Sequence, residues 1–576
     1  MSPAVIEGSK NAGSPNLDFT SGFVQIINGE PSITKETRYT VNPANLQPKE
    51  EVPVATKDNL DHAVDAARKA FRTWSKVSYE DRRSAVLAFA DAVEQVKTDF
   101  RDLLVSEQGK PVPQADVEID AAIAFIRALA HIELPEDVIE DDDKRTIITR
   151  YVPIGVVGAI IPWNFPFLLA ASKITPALLT GNVVIIKPSP FTPYCGLKLV
   201  ELAQQFFPPG VVQSLSGDDR LGPWLTSHPG IDKISFTGSS TTGKLVLQSA
   251  AGTLKRVTLE LGGNDPAIIF PDVDVDKVAE KVALYSFLNS GQICIALKRI
   301  YVHESIYEQF RDAMVKHIKT YTLGDGSQEG ISHGPVQNSM QYEKVKTFFE
   351  DIEKQGWKVA TGGKIDPSPG YFITPTVIDR PPEDSRIVVE EPFGPIVPLL
   401  SWKDEEDVIA RANNSPMGLG ASIWCNDLKK AEKAARQMQA GSVWINTHFD
   451  LSPMAPFGGH KESGLGVEWV LYIIYVIRMV SAWKFPFGDE LRSTDAIGQD
   501  IAKDGATRFK EAVADLVKPL GATAILPAGS AFMFKGLSCT PQNDVFTQLA
   551  YDTPMVCSTR LQESKGVSWK SSTKPS

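Results

Sequence analysis

The sequence predicts an α/β fold that is divided between two domains. Up to Gly263, apolar segments of strand length alternate with segments of helix length, and the same alternation resumes after Gly263. Strands separated by helices predict βαβ units around a buried parallel sheet. With 576 residues, of which 43% are hydrophobic and 22% charged, the chain is long enough for two or three domains with substantial cores.

The first domain is expected to begin with helices and to continue with strands. Between Lys57 and Gly109, apolar residues recur at helical spacing with charged residues between them, which predicts two amphipathic helices. Five apolar segments follow, each separated from the next by enough residues for a helix or a turn. They are predicted to form the strands 157–161, 182–187, 211–217, 233–238 and 256–263.

The second domain repeats this arrangement. We predict helices over 274–289 and 306–320, a strand over 299–304, and later strands within 388–400 and 442–446. Near the C-terminus, residues 502–520 have the spacing of a helix. The last thirty or so residues are polar and rich in Ser and Thr, so we expect them to be loosely ordered.

Charge and composition exclude several classes of protein. The net charge of −11 argues against nucleic-acid binding, which needs a basic face. The apolar run 469–477 is far shorter than the roughly 20 residues that a membrane-spanning helix requires. The first residues lack the pattern of a secretory signal, so a cytoplasmic protein is expected. The five cysteines are scattered without a C-x-x-C pair, which indicates neither a disulfide framework nor a metal site.

The segment SFTGSSTTGKL, residues 235–245, comes within one residue of a nucleoside-triphosphate loop. Gly238, Gly243 and Lys244 match the pattern G-x-x-x-x-G-K, but Leu245 has no oxygen to hold Mg²⁺. A turn between a strand and a helix presents backbone amides to anions, and such turns are also ordinary in α/β proteins. The segment alone therefore leaves both a phosphate site and a structural turn open.

Cys294 and Glu260 are the candidates for reactive side chains. Cys294 lies in NSGQICIA, where small and polar neighbours would leave its thiol accessible to a substrate. Glu260 lies at the carboxyl end of a predicted strand, where α/β proteins bind ligands. The alternative interpretations are structural: a buried cysteine, and a solvated or salt-bridged glutamate.

Two more segments place polar residues directly after strands. In IPWNFP, Asn164 is either a turn former between prolines or an amide that donates to an oxyanion, and Trp163 is compatible with the core. Lys187 in IIKPSP is either solvated or in contact with a ribose or a phosphate.

Seven motifs together make the sequence resemble the aldehyde dehydrogenase superfamily. They are IPWNFP, IIKPSP, SFTGSSTTG, LELGGNDP, SGQIC, EEPFGP and PFGGHKESGLG, in the order and spacing of that family, and the similarity extends from about Gly22 to Trp469. The resemblance implies a Rossmann-type dinucleotide-binding domain (22–130 and 152–262), a second α/β catalytic domain (263–440) and a small oligomerisation element (131–151 and 441–484). Residues 485–576 form an unmatched extension.

The resemblance also implies roles for individual residues. Cys294 would attack an aldehyde, the Asn164 amide and the Cys294 N–H would hold the oxyanion, and Glu260 would activate water to hydrolyse the thioester. Lys173 would complete the catalytic set. The residues implied to hold the dinucleotide are Gly238 and Ser239 at the pyrophosphate, Lys187 at the adenine ribose, Glu391 at the nicotinamide ribose, and Trp163 and Phe393 around the cofactor.

The sequence departs from the family pattern in two places. Pro190 stands where strongly NAD-selective members often carry Glu. Because this Glu is absent, NADP is expected to be accepted as well, although NAD is expected to be favoured. After Trp469, the usual Glu-containing segment and short oligomerising strand are replaced by VLYIIYVIRMVSAWKFPF. Lys173 is therefore expected to lack its usual carboxylate partner.

The leading interpretation is an NAD(P)-dependent aldehyde dehydrogenase that forms a carboxylic acid. The alternative is a CoA-acylating dehydrogenase or a thiol esterase that uses the same Cys294, and a P-loop phosphotransferase is more remote. Leu169, Ser172 and Leu451, where relatives often carry bulkier side chains, predict a medium or large aldehyde. A homodimer or homotetramer is expected, without nucleic acid, membrane or metal as a partner.

Overall fold

The computed structural model describes residues 17–132, 136–143, 145–469, 475–483, 523–525 and 533–535. The helix expected over 502–520, the polar C-terminal residues, Cys539 and Cys557 lie outside the described residues. The chain divides into two compact units, Met1–Lys484 and Phe485–Ser576. In the second unit, the described residues form two short strands that pair antiparallel with each other.

Four short strands and then four helices come first, and strands and helices alternate from Val156 to Glu260. The strands are β1 (Gln25–Ile27), β2 (Glu30–Ser32), β3 (Thr37–Arg38), β4 (Val52–Pro53), β5 (Asp137–Asp141), β6 (Arg145–Pro153), β7 (Val156–Ile160), β8 (Val183–Lys187), β9 (Val212–Ser214), β10 (Lys233–Thr237) and β11 (Arg256–Glu260). The helices are α1 (Lys57–Trp74), α2 (Tyr79–Gln95), α3 (Lys97–Gln108), α4 (Val112–Leu129), α5 (Pro166–Leu179), α6 (Tyr194–Ala203), α7 (Leu221–Ser227) and α8 (Ser240–Ala251).

The alternation continues after Glu260. The strands are β12 (Asp265–Ile269), β13 (Leu297–His303), β14 (Val359–Thr361), β15 (Thr376–Asp379), β16 (Ile396–Trp402), β17 (Met417–Gly418), β18 (Gly420–Trp424), β19 (Ser442–Ile445), β20 (His460–Lys461), β21 (Gly464–Leu465), β22 (Tyr475–Trp483), β23 (Thr523–Ile525) and β24 (Met533–Lys535). The helices are α9 (Val275–Phe287), α10 (Tyr307–Ile318), α11 (Ser339–Gln355), α12 (Arg386–Val389), α13 (Glu405–Asn413) and α14 (Leu428–Ala435).

Eight strands form the first sheet, in the order β2-β1-β9-β8-β7-β10-β11-β21. The five strands from β9 to β11 in this order are parallel, and β7 and β8 are buried at every residue. The chain proceeds from β7 to β9 on one side and then places β10 on the other side of β7. The strand order therefore reverses between β7 and β10, where α/β proteins bind ligands at the carboxyl ends of the strands.

The strands predicted for the first domain are confirmed, and one helix was missed. Each of the five strands lies within three residues of its predicted bounds. The segment from Lys57 to Gly109 contains three helices, although two were predicted. The additional boundary falls at Val96, whose non-helical backbone (φ −111°, ψ 22°) separates α2 from α3.

Seven strands form the second sheet, in the order β14-β15-β16-β13-β12-β18-β19, with all but the edge strand β14 parallel. The predicted helices 274–289 and 306–320 and the strands 299–304 and 442–446 are confirmed as α9, α10, β13 and β19. The strand predicted within 388–400 is confirmed as β16 in the second half of that segment, whereas the first half holds the end of α12 and an irregular loop. Pro392 and Pro395 explain this, because neither has an N–H to donate to a ladder.

A third, antiparallel sheet has the order β22-β6-β5. Tyr475–Trp483 pairs with β6 along all nine of its residues. The segment that replaces the family's usual ending therefore supplies a strand of its own, which corrects the expectation that the replacement removes it.

Candidate active site

The turn after β10 lies at the reversal of strand order. Ser239 is exposed and caps α8, because its Oγ accepts a hydrogen bond from Thr242 N at 3.2 Å. The preceding Gly238 donates its N–H to the carbonyl of Glu260 at 3.0 Å. The N-terminal amides of α8 thus begin beside the end of β11, in an arrangement that suits an anionic group.

The resemblance of this turn to a nucleoside-triphosphate loop ends at its second half. Lys244 forms an exposed ion pair with Glu462 (2.8 Å), and Leu245 is 61% exposed. Gly243 serves packing, since a Cβ at this position would lie 2.5 Å from the Leu261 side chain. The lysine that would contact phosphates is therefore engaged elsewhere, which argues against a P-loop phosphotransferase.

Lys187 lies buried at the carboxyl end of β8. Burial lowers its pKa to about 8, while the charge of Asp219 opposes this effect and that of Arg38 adds to it. The expectation of a solvated lysine is thus excluded. Pro190 is partly exposed close by in the chain and offers no charge.

Cys294 is partly exposed in the loop between α9 and β13. Before it, Asn289, Ser290 and Gly291 have positive φ values of 50°, 54° and 71°, so the chain turns sharply after α9. Burial raises the pKa of the Cys294 thiol, and the charges of Glu391, Asp265 and Glu260 raise it further. The resting thiol therefore holds its proton.

Asn164 is fixed beside this loop from several sides. Its Nδ2 donates to the carbonyl of Gln292 at 3.1 Å, which leaves a second N–H on the same amide. The Asn164 carbonyl accepts from Lys110 Nζ at 3.0 Å and from Asn289 Nδ2 at 3.2 Å. Lys110 is itself held by a buried ion pair with Glu118 (2.5 Å). The Asn164 side chain, which contacts the residue two before Cys294, is thus set in one orientation.

Glu260 ends β11 with only 4% of its surface exposed. Neither of its carboxylate oxygens has a hydrogen-bond partner among the described residues. Burial raises the pKa of Glu260 well above its ordinary value, the charge of Glu468 adds to this, and that of Lys173 opposes it. A buried carboxyl group without partners is costly for stability, and groups of this kind occur at functional sites.

Lys173 has a carboxylate partner, which corrects the prediction that it lacks one. Its Nζ lies 2.5 Å from Glu468 Oε1 and donates to Ser235 Oγ at 2.9 Å. Ser235 also donates to Glu468 Oε1 at 2.6 Å. Glu468 directly precedes Trp469, so the chain retains this carboxylate before the point at which its ending departs from the family pattern.

Glu391 and Phe393 lie in the loop 390–395, opposite the turn of residues 261–264. Gly263 N donates to Glu391 Oε1 at 3.2 Å. Burial raises the pKa of Glu391 to about 7, against the charges of Lys344 and Lys298. The rings of Trp163 and Phe393 meet edge to face, with centroids 5.3 Å apart. The residues implied to hold a dinucleotide thus lie at strand ends or in loops, and two of them, Trp163 and Phe393, are in contact.

The turn after Glu260 also brings Cys294 close. A Cβ at Gly263 would lie 2.1 Å from the Cys294 carbonyl oxygen, so only glycine permits this approach. Gly263 is three residues after Glu260, and Asn164 donates to the carbonyl of Gln292, two residues before Cys294, so the segments that carry the carboxyl group and the amide both contact the Cys294 loop.

An apolar cluster surrounds the nucleophile and was largely missed by the sequence analysis. Three residues, Leu169, Ser172 and Leu451, were the basis for predicting a medium or large aldehyde. Leu451 packs in this cluster, whereas Ser172 is buried and donates to the carbonyl of Leu169 at 3.2 Å. The buried members are Phe125, Ile293, Ile295, Ala296, Leu419, Trp444, Phe457 and Trp469, and Phe165, Leu168, Leu288, Cys294, Phe449 and Leu451 pack against them. These aromatic residues come from distant segments, so no local pattern marks them.

The other described cysteines lie elsewhere. Cys195 is buried, and its backbone N–H donates to Glu107 Oε1 at 3.1 Å, whereas Cys425 is buried with its Sγ 3.5 Å from Asp272 Oδ2. Within the described ranges, no group of three or more His, Cys, Asp or Glu side chains is arranged to hold a metal ion. No helix in the described part of the chain is long and apolar enough to cross a membrane.

The comparisons with known proteins agree with this arrangement. The chain is 44% identical over 457 residues to the aldehyde dehydrogenase LUC3 of a Fusarium species, covering 79% of this chain and 96% of that protein. It is 39% identical over 466 residues to an aldehyde dehydrogenase of Agaricus bisporus, covering 79% and 93%.

Solved structures of the same kind superpose closely on this chain. The NAD+ complex of an aldehyde dehydrogenase from Bacillus cereus matches with a TM-score of 0.78 and 36% identity, covering 80% of this chain and 96% of that one. The family model of the aldehyde dehydrogenases matches residues 31–481. The chain therefore belongs to the aldehyde dehydrogenase family.

Proposed function

We propose that this protein oxidises a medium or large aldehyde to a carboxylic acid with NAD+ as the favoured cofactor. The observation that carries the proposal is the partly exposed Cys294 thiol in the loop to which the Asn164 amide donates, together with the buried Glu260 carboxyl group, whose oxygens lack hydrogen-bond partners among the described residues. The test is the absorbance of reduced dinucleotide, followed with a panel of aldehydes and both cofactors. The proposal would be contradicted if the wild-type enzyme were inactive with every combination of aldehyde and cofactor.

Cys294 and Asn164 would perform the first step. The thiol loses its proton to solvent, the sulfur attacks the aldehyde carbon, and the π electrons of the carbonyl move to its oxygen. The oxyanion is held by the free N–H of the Asn164 amide and by the Cys294 backbone N–H, in a site lined by apolar side chains. When bound, the dinucleotide serves as hydride acceptor, so that a thioester remains on Cys294.

Glu260 would perform the second step. The carboxylate takes a proton from a water molecule, whose oxygen attacks the thioester carbon. The carbon–sulfur bond then breaks, the Cys294 thiolate takes the proton from Glu260, and the acid leaves. A raised pKa suits this role, because a general base works best when its pKa lies near the working pH.

The residues near the reversal of strand order between β7 and β10 fit a dinucleotide. The exposed N-terminus of α8 at Ser239 suits the pyrophosphate, and the buried, cationic Lys187 suits a ribose hydroxyl. Glu391, which is partly exposed, would accept from the other ribose, beside the Trp163–Phe393 ring pair.

Cofactor preference gives a first prediction. We expect wild-type enzyme to accept NADP+ with a kcat/KM within about tenfold of that for NAD+, because Pro190 neither repels a 2′-phosphate nor accepts from a 2′-hydroxyl. Pro190→Glu should shift the ratio toward NAD+ by about ten- to a hundredfold, or roughly 1 to 3 kcal/mol. Pro190→Gln is the control, because Gln matches Glu in size but carries no charge, and it should shift the ratio less. A wild-type preference for NAD+ above roughly a thousandfold would show that another group excludes the phosphate.

Substrate size gives a second prediction. We expect kcat/KM to be higher for extended or aromatic aldehydes than for acetaldehyde, because the cluster around Cys294 offers apolar surface that a two-carbon substrate leaves uncovered. Leu451→Trp, which fills part of that space, should lower kcat/KM about tenfold or more for the large aldehydes. The value for acetaldehyde should change by only a few-fold. A kcat/KM that is highest for acetaldehyde in the wild type contradicts this prediction.

Assembly as a homodimer or homotetramer remains part of the proposal. Its support is β5, at the edge of the third sheet, where Val138 and Ile139 are exposed. Light scattering during size-exclusion chromatography measures the oligomeric state directly. A cytoplasmic location also remains a prediction, to be checked by cell fractionation.

A further inference from the structure

The loop 390–395 is held by side chains rather than by regular secondary structure. Each of its four central carbonyls accepts a hydrogen bond from a side chain. Lys344 Nζ donates to the carbonyl of residue 391 (3.1 Å), and Gln341 Nε2 donates to those of 392 (2.9 Å) and 393 (3.1 Å). Lys298 Nζ donates to the carbonyl of Gly394 at 2.8 Å.

These donors approach from two sides of the loop. Gln341 and Lys344 both belong to α11, whereas Lys298 belongs to β13, which begins three residues after Cys294. Among the described residues, Lys298 therefore links the Gly394 carbonyl of this loop directly to β13, the strand that follows Cys294.

The same ammonium group also touches the loop that precedes the nucleophile. A Cβ placed on Gly291 would lie 2.7 Å from Lys298 Nζ and 2.3 Å from the Gly394 carbonyl oxygen. The hydrogen bond from Lys298 to Gly394 thus lies against the backbone of Gly291, three residues before Cys294. The loop 390–395 and the loop that precedes Cys294 thus both contact the buried Lys298 of β13.

A lysine at this place needs a reason. Lys298 is only 1% exposed, and among the described residues no carboxylate lies within ion-pair distance of its Nζ. Burial lowers its pKa to about 7, against the charge of Glu391, so the protein bears a cost for keeping an amine here. An apolar side chain of similar length would avoid this cost but could not donate to Gly394.

We propose that Lys298 is a positioning residue, which ties the loop carrying Glu391 and Phe393 to the Cys294 loop and so sets the distance between the bound cofactor and the carbon on Cys294. The inference rests on the proposed function, in which Glu391 and Phe393 hold the nicotinamide end. Hydride transfer is sensitive to such a distance, because a misplacement of about 1 Å can cost about a hundredfold in rate.

The test compares Lys298→Met with Lys298→Gln, which retains a shorter donor, and with Lys346→Met. Lys346 is a matched control, because it lies on α11 and pairs with Glu343 at the surface. NADH binding is measured by quenching of protein fluorescence, without turnover. The burst rate is measured with ordinary aldehyde and with aldehyde deuterated at the carbonyl carbon, and Cys294 is labelled with iodoacetamide in the absence of cofactor.

We expect Lys298→Met to weaken NADH binding several-fold and to slow the burst about tenfold, with a larger deuterium isotope effect than in the wild type. Labelling of Cys294 should stay within about twofold, Lys298→Gln should recover part of the burst rate, and Lys346→Met should match the wild type. If Lys298→Met does not fold, Lys298→Gln carries the test, with a smaller loss of the same kind expected.

Two results would overturn the inference. One is NADH binding and a burst rate within about twofold of the wild type in the folded variants. The other is a loss of Cys294 labelling that parallels the loss of burst, since this would mean that the nucleophile loop itself had collapsed. A wild-type enzyme without activity toward any aldehyde is a different result, which contradicts the proposed function instead.

Discussion

Replacement of Cys294 by Ala should reduce aldehyde-dependent formation of reduced dinucleotide by at least about ten-thousandfold, to the level without enzyme. The reason is that the proposed reaction needs a covalent bond between sulfur and the aldehyde carbon, and Ala has no nucleophile to offer. NAD+ binding should stay within a few-fold, because the residues proposed to hold the cofactor belong to other elements. Absorbance and fluorescence quenching measure the two quantities separately.

Cys425→Ala is the matched control for this prediction. Cys425 is a buried cysteine next to Asp272 and outside the cluster that surrounds Cys294, so its loss should leave kcat within about twofold. Retained turnover in Cys294→Ala would contradict the proposed mechanism. A parallel loss of activity in Cys425→Ala would indicate that the assay reports on stability rather than on the nucleophile.

The sequence predicted those parts of the fold that depend on local patterns. Apolar runs flanked by helix-length segments identified β7 and β8, because buried parallel strands are apolar on both faces, and the continued alternation with helices identified β10 and β11. Motifs with fixed spacing identified Cys294, Glu260 and Asn164, and the structure brings the segments that carry them into contact.

The remaining features depend on contacts that no local pattern records. Lys173 and Glu468 are 295 residues apart, so their ion pair becomes visible only when α5 and the segment after β21 lie side by side. The segment 388–400, in which a strand was predicted, also contains the loop 390–395, whose carbonyls are fixed by side chains of α11 and β13. Lys298 drew no attention in the sequence for the same reason: its partner, Gly394, is 96 residues away.

Replacement of Glu260 by Gln should separate the two chemical steps. If Glu260 activates the second-step water, the first turnover still forms reduced dinucleotide in a rapid burst, and steady-state turnover then falls by about a hundredfold or more. The thioester should accumulate on Cys294, where mass spectrometry of the quenched enzyme detects the added acyl mass. Glu462→Gln is the control, because Glu462 is an exposed partner of Lys244.

The dependence on pH provides a second signature of the same residue. Glu260 must be ionised to act as a base, and its pKa is raised by burial and by Glu468. The wild-type steady-state rate should therefore fall as the pH decreases through this raised value, above the pKa of about 4.3 of an ordinary glutamate. In Glu260→Gln this loss at low pH should disappear from the residual rate.

Two outcomes would assign Glu260 differently. If the burst and the steady state fall equally in Glu260→Gln, the carboxylate acts mainly on the Cys294 thiol, whose own pKa is raised and which needs a proton acceptor. If the wild type itself stalls after the burst and resumes only when coenzyme A is added, the enzyme transfers its acyl group to a thiol rather than to water. Hydrolysis then fails as the second step, although the unpartnered oxygens of Glu260 would still mark the carboxylate as the group that governs the fate of the thioester.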